Sequence, residues 1–287
     1  MRRSFRLLPA LLQWPLLCLL FWLPPVLGWS SSQNTARIAI ILDDIGYNRA
    51  SGERALQLPA AVTFSVIPFT PYSHSLAEKA HRQQREILLH LPMESADSHR
   101  RLDEGGLTGQ QPETEIRTRV NAAIAAVPHA IGLNNHMGSR LTADSQRMNW
   151  VMEEVRQTPL FFIDSMTSVD SVAGRTARRL SIPSLRRDVF LDNEPETAAI
   201  DTAFRHLLQK ARKDGYAVAI GHPHPATLNY LLRRLPQLST EQVELVPLSQ
   251  LVNQFGRALD PPGRWQDLAR QVIAMPAPDS TRLNFSY

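Results

Sequence analysis

Two adjacent carboxylates, Asp43 and Asp44, follow an apolar run of five residues that extends from Ile38 to Leu42. An apolar run this short is typical of a strand that is buried on both faces, as in parallel sheets. Parallel α/β proteins place their chemistry just beyond the carboxyl ends of such strands. A turn that leads into a helix N-cap would also explain either Asp. The pair is therefore a candidate functional site, and the residues at the other strand ends decide between this interpretation and a turn.

Polar residues suited to catalysis or metal binding follow five further apolar runs. In chain order they are His90 and Glu94, then Asn134, Asn135 and His136, then Asp164, then Arg187 and Asp188, and finally His222 and His224. Because all carboxyl ends of a parallel barrel lie on one face, we expect these side chains to lie close together. Of His222 and His224, we expect His222 to face the site because it lies nearer the end of the strand.

This set of side chains combines carboxylates with imidazoles and contains no thiolate, because the single cysteine, Cys18, lies in an apolar N-terminal segment. Such donors suit Zn²⁺ or a similar divalent ion that keeps an open coordination position. An ion of this kind lowers the pKa of a water towards ~7 and polarises a carbonyl group. A second carboxylate can then take the proton of the water, and a separate His can protonate the leaving group. The sequence thus supplies the parts of a metal-assisted hydrolase for an amide or an ester.

Eight apolar runs alternate with segments whose apolar residues recur at helical spacing. The predicted strands are Arg37–Leu42, Ala61–Val66, Glu86–Leu89, Ile131–Leu133, Leu160–Ile163, Ile182–Leu185, Tyr216–Ile220 and Val243–Val246. The predicted helices are Asn48–Leu58, Ser73–Gln83, Pro112–Val127, Asp144–Gln157, Val169–Leu180, Glu196–Lys213, Ala226–Leu235 and Leu248–Gln254. Eight consecutive βα units without a linker favour a (β/α) barrel over an open doubly wound sheet. The polar, glycine-containing segment Glu94–Gln111 interrupts this rhythm and is predicted to lie over a cleft.

The two ends of the chain differ from this pattern. Residues 1–28 have a basic start and an apolar stretch, Leu7–Leu23, which predicts a signal peptide cleaved near Gly28 and a periplasmic location. An uncleaved membrane anchor is the alternative, although prolines interrupt the stretch and it is short for a span. We expect a spacer at 29–36, a barrel domain at 37–256 and a proline-rich, partly disordered tail at 257–287.

The formal net charge of +4 overstates the basic character of the folded part. Three of the 31 basic residues and none of the 27 acidic residues lie in the predicted signal peptide, which leaves 28 against 27 in the rest of the chain. This balance gives no support for a nucleic-acid partner. A membrane is expected to be a partner only through the N-terminal segment, if that segment is not cleaved.

Five motifs resemble those of the divergent polysaccharide deacetylase family of exported bacterial proteins. They are Leu42-Asp43-Asp44-Ile45-Gly46, His90-Leu91-Pro92-Met93-Glu94, Asn135-His136-Met137-Gly138-Ser139-Arg140, Phe162-Ile163-Asp164-Ser165 and Gly221-His222-Pro223. The resemblance extends in order from about Arg37 to Asn253. It implies a distorted (β/α) barrel, so the expected fold is a distorted barrel of seven to eight parallel strands.

The resemblance also implies roles for individual residues. Asp43 would be the catalytic base, His222 the general acid, and Asp164 a neighbour that orients His222 or contacts substrate. Asp44 and His90 would bind a divalent ion, expected to be Zn²⁺. His90 matches the first His of the His-x-x-x-His ligand pair of ordinary polysaccharide deacetylases, but the chain has Glu94 at the second position. His136 would supply the missing imidazole. The predicted metal ligands are Asp44, His90, His136 and Glu94.

The function that follows is a periplasmic metal-dependent hydrolase that removes acetyl groups from a cell-envelope glycan, such as peptidoglycan. One alternative is a non-catalytic glycan-binding or envelope-regulating protein that has kept the barrel. Another is a glycoside hydrolase that uses Asp43 and Asp164 as paired carboxylates and needs no metal.

Overall fold

The computed structural model describes residues 35–256, and within them the chain forms a sheet of nine parallel strands with α-helices between them. The predicted signal peptide at 1–28, most of the spacer and the predicted tail at 257–287 lie outside these residues. Among the helices of residues 35–256, none has the length and apolar composition needed to cross a membrane.

Strands and helices alternate along most of the chain. The strands are β1 (Ala36–Ile45), β2 (Thr63–Val66), β3 (Ile87–Met93), β4 (Ala130–Met137), β5 (Phe161–Asp164), β6 (Ser184–Arg186), β7 (Val189–Phe190), β8 (Tyr216–Gly221) and β9 (Val243–Leu245). The helices are α1 (Arg49–Ala55), α2 (Ser73–Arg82), α3 (Glu113–Ala126), α4 (Ser145–Arg156), α5 (Ala173–Arg179), α6 (Thr197–Asp214), α7 (Pro225–Arg234) and α8 (Leu248–Phe255). Two 3₁₀ segments, Leu141–Ala143 and Leu235–Glu241, precede α4 and follow α7.

The order of the strands is β6-β5-β4-β3-β2-β1-β8-β7, with β9 paired to the start of β1. The two end strands, β6 and β7, are separated by only Arg187 and Asp188. The amide of Arg187 donates to Asp164 of β5 (2.9 Å), and the amide of Asp188 donates to Val218 of β8 (2.8 Å). One stretch of chain therefore joins both edges of the sheet, and the predicted (β/α) barrel is confirmed.

The alternation of side chains along each strand divides the core into two parts. Ile38, Ile40 and Leu42 pack in the layer between the sheet and the surrounding helices. Ala39 and Ile41 point to the other side, where they join residues of β3, β5, β6 and β8 in the barrel interior. Side chains of α8 belong to this interior cluster, and they close the barrel at the end where the strands begin.

Three strands are longer than predicted, and one strand was not predicted. β1 continues three residues beyond its expected end. β3 and β4 continue four residues beyond theirs, because they stay paired with each other as far as Met93 and Met137. Most of the polar residues expected after these strands therefore lie within them. β7 has two residues, too few to produce a recognisable pattern, and it raises the strand count of the described residues to nine.

Candidate metal centre and active site

Strand register determines which polar side chains meet inside the barrel. His90 follows the interior residue Leu88 by two positions, so its side chain also points inward. His90 is paired with Asn134 across β3 and β4, and His136 lies two positions farther along β4. These side chains therefore share one face, at the end of the barrel where the strands finish.

Adjacent residues of a strand normally point to opposite faces, yet Asp43 and Asp44 both reach His90. The β1–β2 ladder is irregular between Leu42 and Ile45, and Asp44 has a left-handed backbone with φ of 58°. Asp adopts this conformation more readily than most residues. His90 Nε2 consequently lies 3.4 Å from Asp43 Oδ2 and 3.3 Å from Asp44 Oδ1.

Three donor atoms, from Asp44, His90 and His136, converge on one point. Asp44 Oδ1 lies 2.9 Å from His136 Nδ1 and 3.3 Å from His90 Nε2, and the two nitrogens are 3.1 Å apart. Zinc ligands at bond lengths of about 2.0–2.1 Å in a tetrahedron are roughly 3.3 Å apart. Asp44 Oδ1 is also buried and accepts no hydrogen bond of good geometry from the described residues. The donor set and its spacing fit a divalent ion such as Zn²⁺.

The partners of the two imidazoles orient their lone pairs towards this point. Asn134 Nδ2 donates to Asp43 Oδ1 at 2.9 Å, so Asn134 Oδ1 faces His90 and accepts from its Nδ1 at 2.8 Å. The Nε2 of His90 is then the nitrogen available to a metal. On His136, Nε2 lies 3.1 Å from Asp103 Oδ2, which leaves Nδ1 as the ligand atom. Asn134 is fully buried and links the predicted base to a predicted ligand.

His222 faces one carboxylate oxygen of Asp44, Oδ2, whereas His136 faces the other, Oδ1. The Nε2 of His222 is 3.8 Å from Asp44 Oδ2, and its Nδ1 is 3.0 Å from Asp192 Oδ1. Asp192 Oδ2 accepts from the His222 amide and the Thr227 hydroxyl, both at 2.7 Å. Asp192 is therefore the residue that orients His222. Asp192, His222 and His224 also form a second group of donors, but the oxygens of Asp192 are already occupied by these hydrogen bonds.

Opposite charges shift the protonation of the central residues. Burial raises the pKa of Asp44, but His136 and His222 outweigh it and hold this pKa well below its usual value. Burial lowers the pKa of His136, but Asp44 and Asp103 raise it to about 10. Burial likewise lowers the pKa of His222, but Asp44 and Asp192 raise it to about 9. The proton on His136 thus supplies positive charge beside Asp44 that a metal ion would supply in its place.

Two predicted site residues are directed elsewhere. Glu94, expected to be a metal ligand, accepts the Gly109 amide at 2.7 Å and faces Arg140 at 3.4 Å. It lies after the end of β3, and it is not a member of either donor group found among residues 35–256.

Asp164, expected beside His222, lies one residue after the interior Ile163 and so points to the outer layer. There it accepts from the amides of Met166 and Gly174 and from the Ser171 hydroxyl. The carboxylate pair Asp43 and Asp164, which a glycoside hydrolase would need, does not share one face of β1 and β5.

Sequence reasoning missed the roles of Asp192, Asn134 and Asp103. Asp192 follows β7, whose two residues gave no strand signal. Asn134 was noted at a strand end, but its role depends on the cross-strand pairing with His90. Asp103 belongs to the segment that was predicted to lie over a cleft, and nothing in the sequence distinguishes it from its acidic neighbour Glu104.

Comparison with known proteins identifies the family. The sequence profile of the divergent polysaccharide deacetylase family matches residues 40–252. The chain belongs to this family. An uncharacterised protein of Haemophilus influenzae is 38% identical over 219 residues, which cover 75% of this chain and 76% of that protein. The uncharacterised protein YibQ of Escherichia coli is 35% identical over 229 residues, which cover 80% of this chain and 71% of that protein.

A solved structure has the same fold. It is that of an uncharacterised protein from Agrobacterium tumefaciens C58, with a TM-score of 0.73 and 24% sequence identity over 78% of this chain and 91% of that one. The likeness supports the barrel architecture of this member of the divergent polysaccharide deacetylase family.

Proposed function

We propose that the protein is a periplasmic, Zn²⁺-dependent hydrolase that removes acetyl groups from a cell-envelope glycan. The observation that carries this proposal is the convergence of Asp44, His90 and His136 at ligand spacing, with Asp43 beside them. Membership of the divergent polysaccharide deacetylase family supports a glycan as the substrate.

The reacting groups have distinct roles. A divalent ion at Asp44, His90 and His136 supplies Lewis-acid activation of water and of the acetyl carbonyl. Asp43, held by Asn134, is placed to take the proton of the attacking water. His222, with Nδ1 on Asp192 and Nε2 facing Asp44, would donate a proton to the leaving amine or alcohol. Asp192 keeps the His222 ring oriented through Nδ1.

The test is acetate release by the purified protein loaded with Zn²⁺. Substrates are N-acetylated chitin oligosaccharides, an O-acetylated glycan and intact peptidoglycan, and the metal content is measured on the same samples. We expect about one ion per chain and acetate release from at least one substrate. A metal-loaded protein that binds glycan but releases no acetate would contradict the proposal and favour the alternative, a non-catalytic glycan-binding protein.

Variants separate the roles of the residues. Asp43→Asn should keep the metal and lose about 10²–10⁴-fold in turnover, because general acid–base groups contribute that much. His136→Ala should lose the metal. Asp170→Asn removes the same charge as Asp43→Asn from an exposed position and serves as the control. Full activity in Asp43→Asn would exclude Asp43 as the base.

The periplasmic location rests on the composition of residues 1–28. A fusion of these residues to an alkaline phosphatase reporter, which is active only after export, tests it. We expect reporter activity that disappears when Arg2, Arg3 and Arg6 are replaced with Glu. An inactive wild-type fusion would contradict the location without affecting the proposed chemistry.

A further inference from the structure

The loop of residues 94–111 contacts the candidate metal centre through one carboxylate. Asp103 Oδ2 lies 3.1 Å from Nε2 of His136, the nitrogen that points away from the converging donor atoms. The other oxygen of Asp103 accepts a hydrogen bond from the Tyr47 hydroxyl. Only 18% of the Asp103 side chain is exposed. Asp103 does not contact the converging donor atoms, so it is neither a metal ligand nor one of the proton-transfer groups proposed for the reaction.

The loop is anchored close to the strand that carries His90. Leu107 is fully buried, and its amide donates to Pro92 at 2.9 Å, while the amide of Glu94 donates to Leu107 at 2.8 Å. Glu94 also accepts the Gly109 amide through its side chain. The loop is therefore attached to the end of β3 by backbone hydrogen bonds, and its position relative to β3 is defined.

A close contact at Gly105 fixes the part of the loop next to Asp103. Gly105 has φ of +76°, and a Cβ built there would lie 2.5 Å from the ring of Phe69. Only glycine allows this backbone conformation together with this approach of the ring. Asp103 is thus held from two directions, by Tyr47 at its side chain and by the Phe69 contact two residues later.

We propose that Asp103 is a positioning residue for the metal centre, and that Tyr47 holds Asp103 in place. The carboxylate accepts the proton on His136 Nε2, which fixes the ring so that Nδ1 faces Asp44 and His90. A carboxylate on the far nitrogen of a ligand histidine also makes the imidazole a stronger donor. This inference rests on the metal centre of the proposed function and extends it to a loop that supplies none of the three converging donor atoms.

His136 needs such support because of where it lies. It is the second-last residue of β4, and its ring meets that of His90 edge-on with centroids 4.8 Å apart. In contrast, His90 is fixed on its far nitrogen by the buried Asn134. The two imidazole ligands are therefore oriented by different parts of the chain, one by the neighbouring strand and the other by the 94–111 loop.

The experiment measures the affinity of the purified protein for Zn²⁺ by competition with a chromophoric chelator. We expect Asp103→Ala to weaken binding about 10–100-fold, the range found for lost outer partners of metal ligands. Asp103→Asn should weaken it less, because the amide oxygen can still accept from Nε2. Tyr47→Phe should weaken it severalfold. Glu104→Gln, which removes the neighbouring exposed charge, should match the wild type.

A second measurement separates positioning from a general structural role. In the ¹⁵N spectrum of the Zn²⁺-bound wild type, the Nε2 proton of His136 should be protected from exchange, and Asp103→Ala should lose this protection. Unchanged Zn²⁺ affinity in both Asp103→Ala and Tyr47→Phe would overturn the inference. A loss of Zn²⁺ affinity in Glu104→Gln as large as that in Asp103→Ala would also overturn it. If Asp103→Ala does not fold, Tyr47→Phe and Asp103→Asn still decide. A wild type that binds no Zn²⁺ would overturn the metal centre itself.

Discussion

Substituting Asp192 with Asn removes one of the three carboxylates that raise the pKa of His222, the others being Asp44 and Asp43. Asp192 Oδ1 lies 3.0 Å from Nδ1 of His222, whereas Asp44 Oδ2 is 3.8 Å from Nε2. Asp44, Asp192 and Asp43 together raise the pKa of His222 from 6.5 to about 9 against the effect of burial. One nearby opposite charge shifts a pKa by about 1–3 units. We expect the pKa of His222 to fall by about 1–2 units, which corresponds to about 1.4–2.7 kcal/mol.

The assay is an NMR titration of the His222 imidazole in metal-free protein, because it needs no substrate. The wild type should titrate near pH 9 and Asp192→Asn about 1–2 units lower. Asp170→Asn, which removes an exposed carboxylate, should leave the His222 titration unchanged. A His222 pKa that is the same in Asp192→Asn and the wild type would refute the pairing on which the general-acid assignment depends.

The same substitution should change the pH dependence of stability. The pKa of His222 is higher in the folded state than the ordinary value of 6.5, so the protonated His222 stabilises the metal-free fold fully below about pH 6.5. This contribution is lost as the pH rises through about 9. In urea unfolding, the difference between the wild type and Asp192→Asn should therefore shrink as the pH increases from 6 to 10. A difference that grows over this range would contradict the sign of the shift.

Three further predictions concern the metal, the buried amide and the loop. Zn²⁺ must displace the proton that His136 holds with a pKa of about 10. The Zn²⁺ affinity should therefore rise about tenfold per pH unit between about pH 6 and 8. Calorimetry in two buffers should detect the release of this proton on binding. Asn134→Ala removes the hydrogen-bond partner of the buried Asp43 and His90, and it should lower the free energy of unfolding in urea by about 2–4 kcal/mol. A loss below about 1 kcal/mol would contradict these two hydrogen bonds. Gly105→Ala should lower the free energy of unfolding by at least about 1–2 kcal/mol, because Gly105 has a positive φ and the new Cβ would meet the Phe69 ring. In the same urea assay Gly109→Ala should change the free energy of unfolding little, because no atom would lie nearer than 3.5 Å to its Cβ.

The sequence was sufficient to predict those members of the candidate site whose side chains lie on the inward face of a strand. His90 and His222 follow interior positions by two residues, so being near a strand end was enough to bring them into the site. Asp164 was predicted by the same rule, but it lies one position out of phase and points outward to the Ser171 hydroxyl and the Gly174 amide. A shift of one residue reverses the face, and apolar runs buried on both sides do not reveal the phase.

Asp192 escaped prediction for a different reason. It follows a strand of two residues, which no periodicity identifies, and its proximity to His222 results from the pairing of β7 with β8. The position of Asp44 also depends on an irregularity that composition does not reveal, since the left-handed backbone there turns a side chain that strict alternation would direct outward. The adjacency of the two acids was visible in the sequence, but the local geometry that lets both be used was not.

The candidate metal centre depends on one regular feature and one irregular feature of the sheet. The regular feature is the β3–β4 register, which places His90 and His136 on the same face at a diagonal of two residues. Because the side-chain period is two, a slip of one residue would remove His136 from this face while leaving His90 in position. The irregular feature is the left-handed Asp44, which adds the carboxylate from β1. β3 and β4 each contribute one imidazole and β1 contributes a carboxylate, so three donor atoms converge without Glu94. The carboxylate of Glu94 is therefore available to anchor the 94–111 loop through the Gly109 amide.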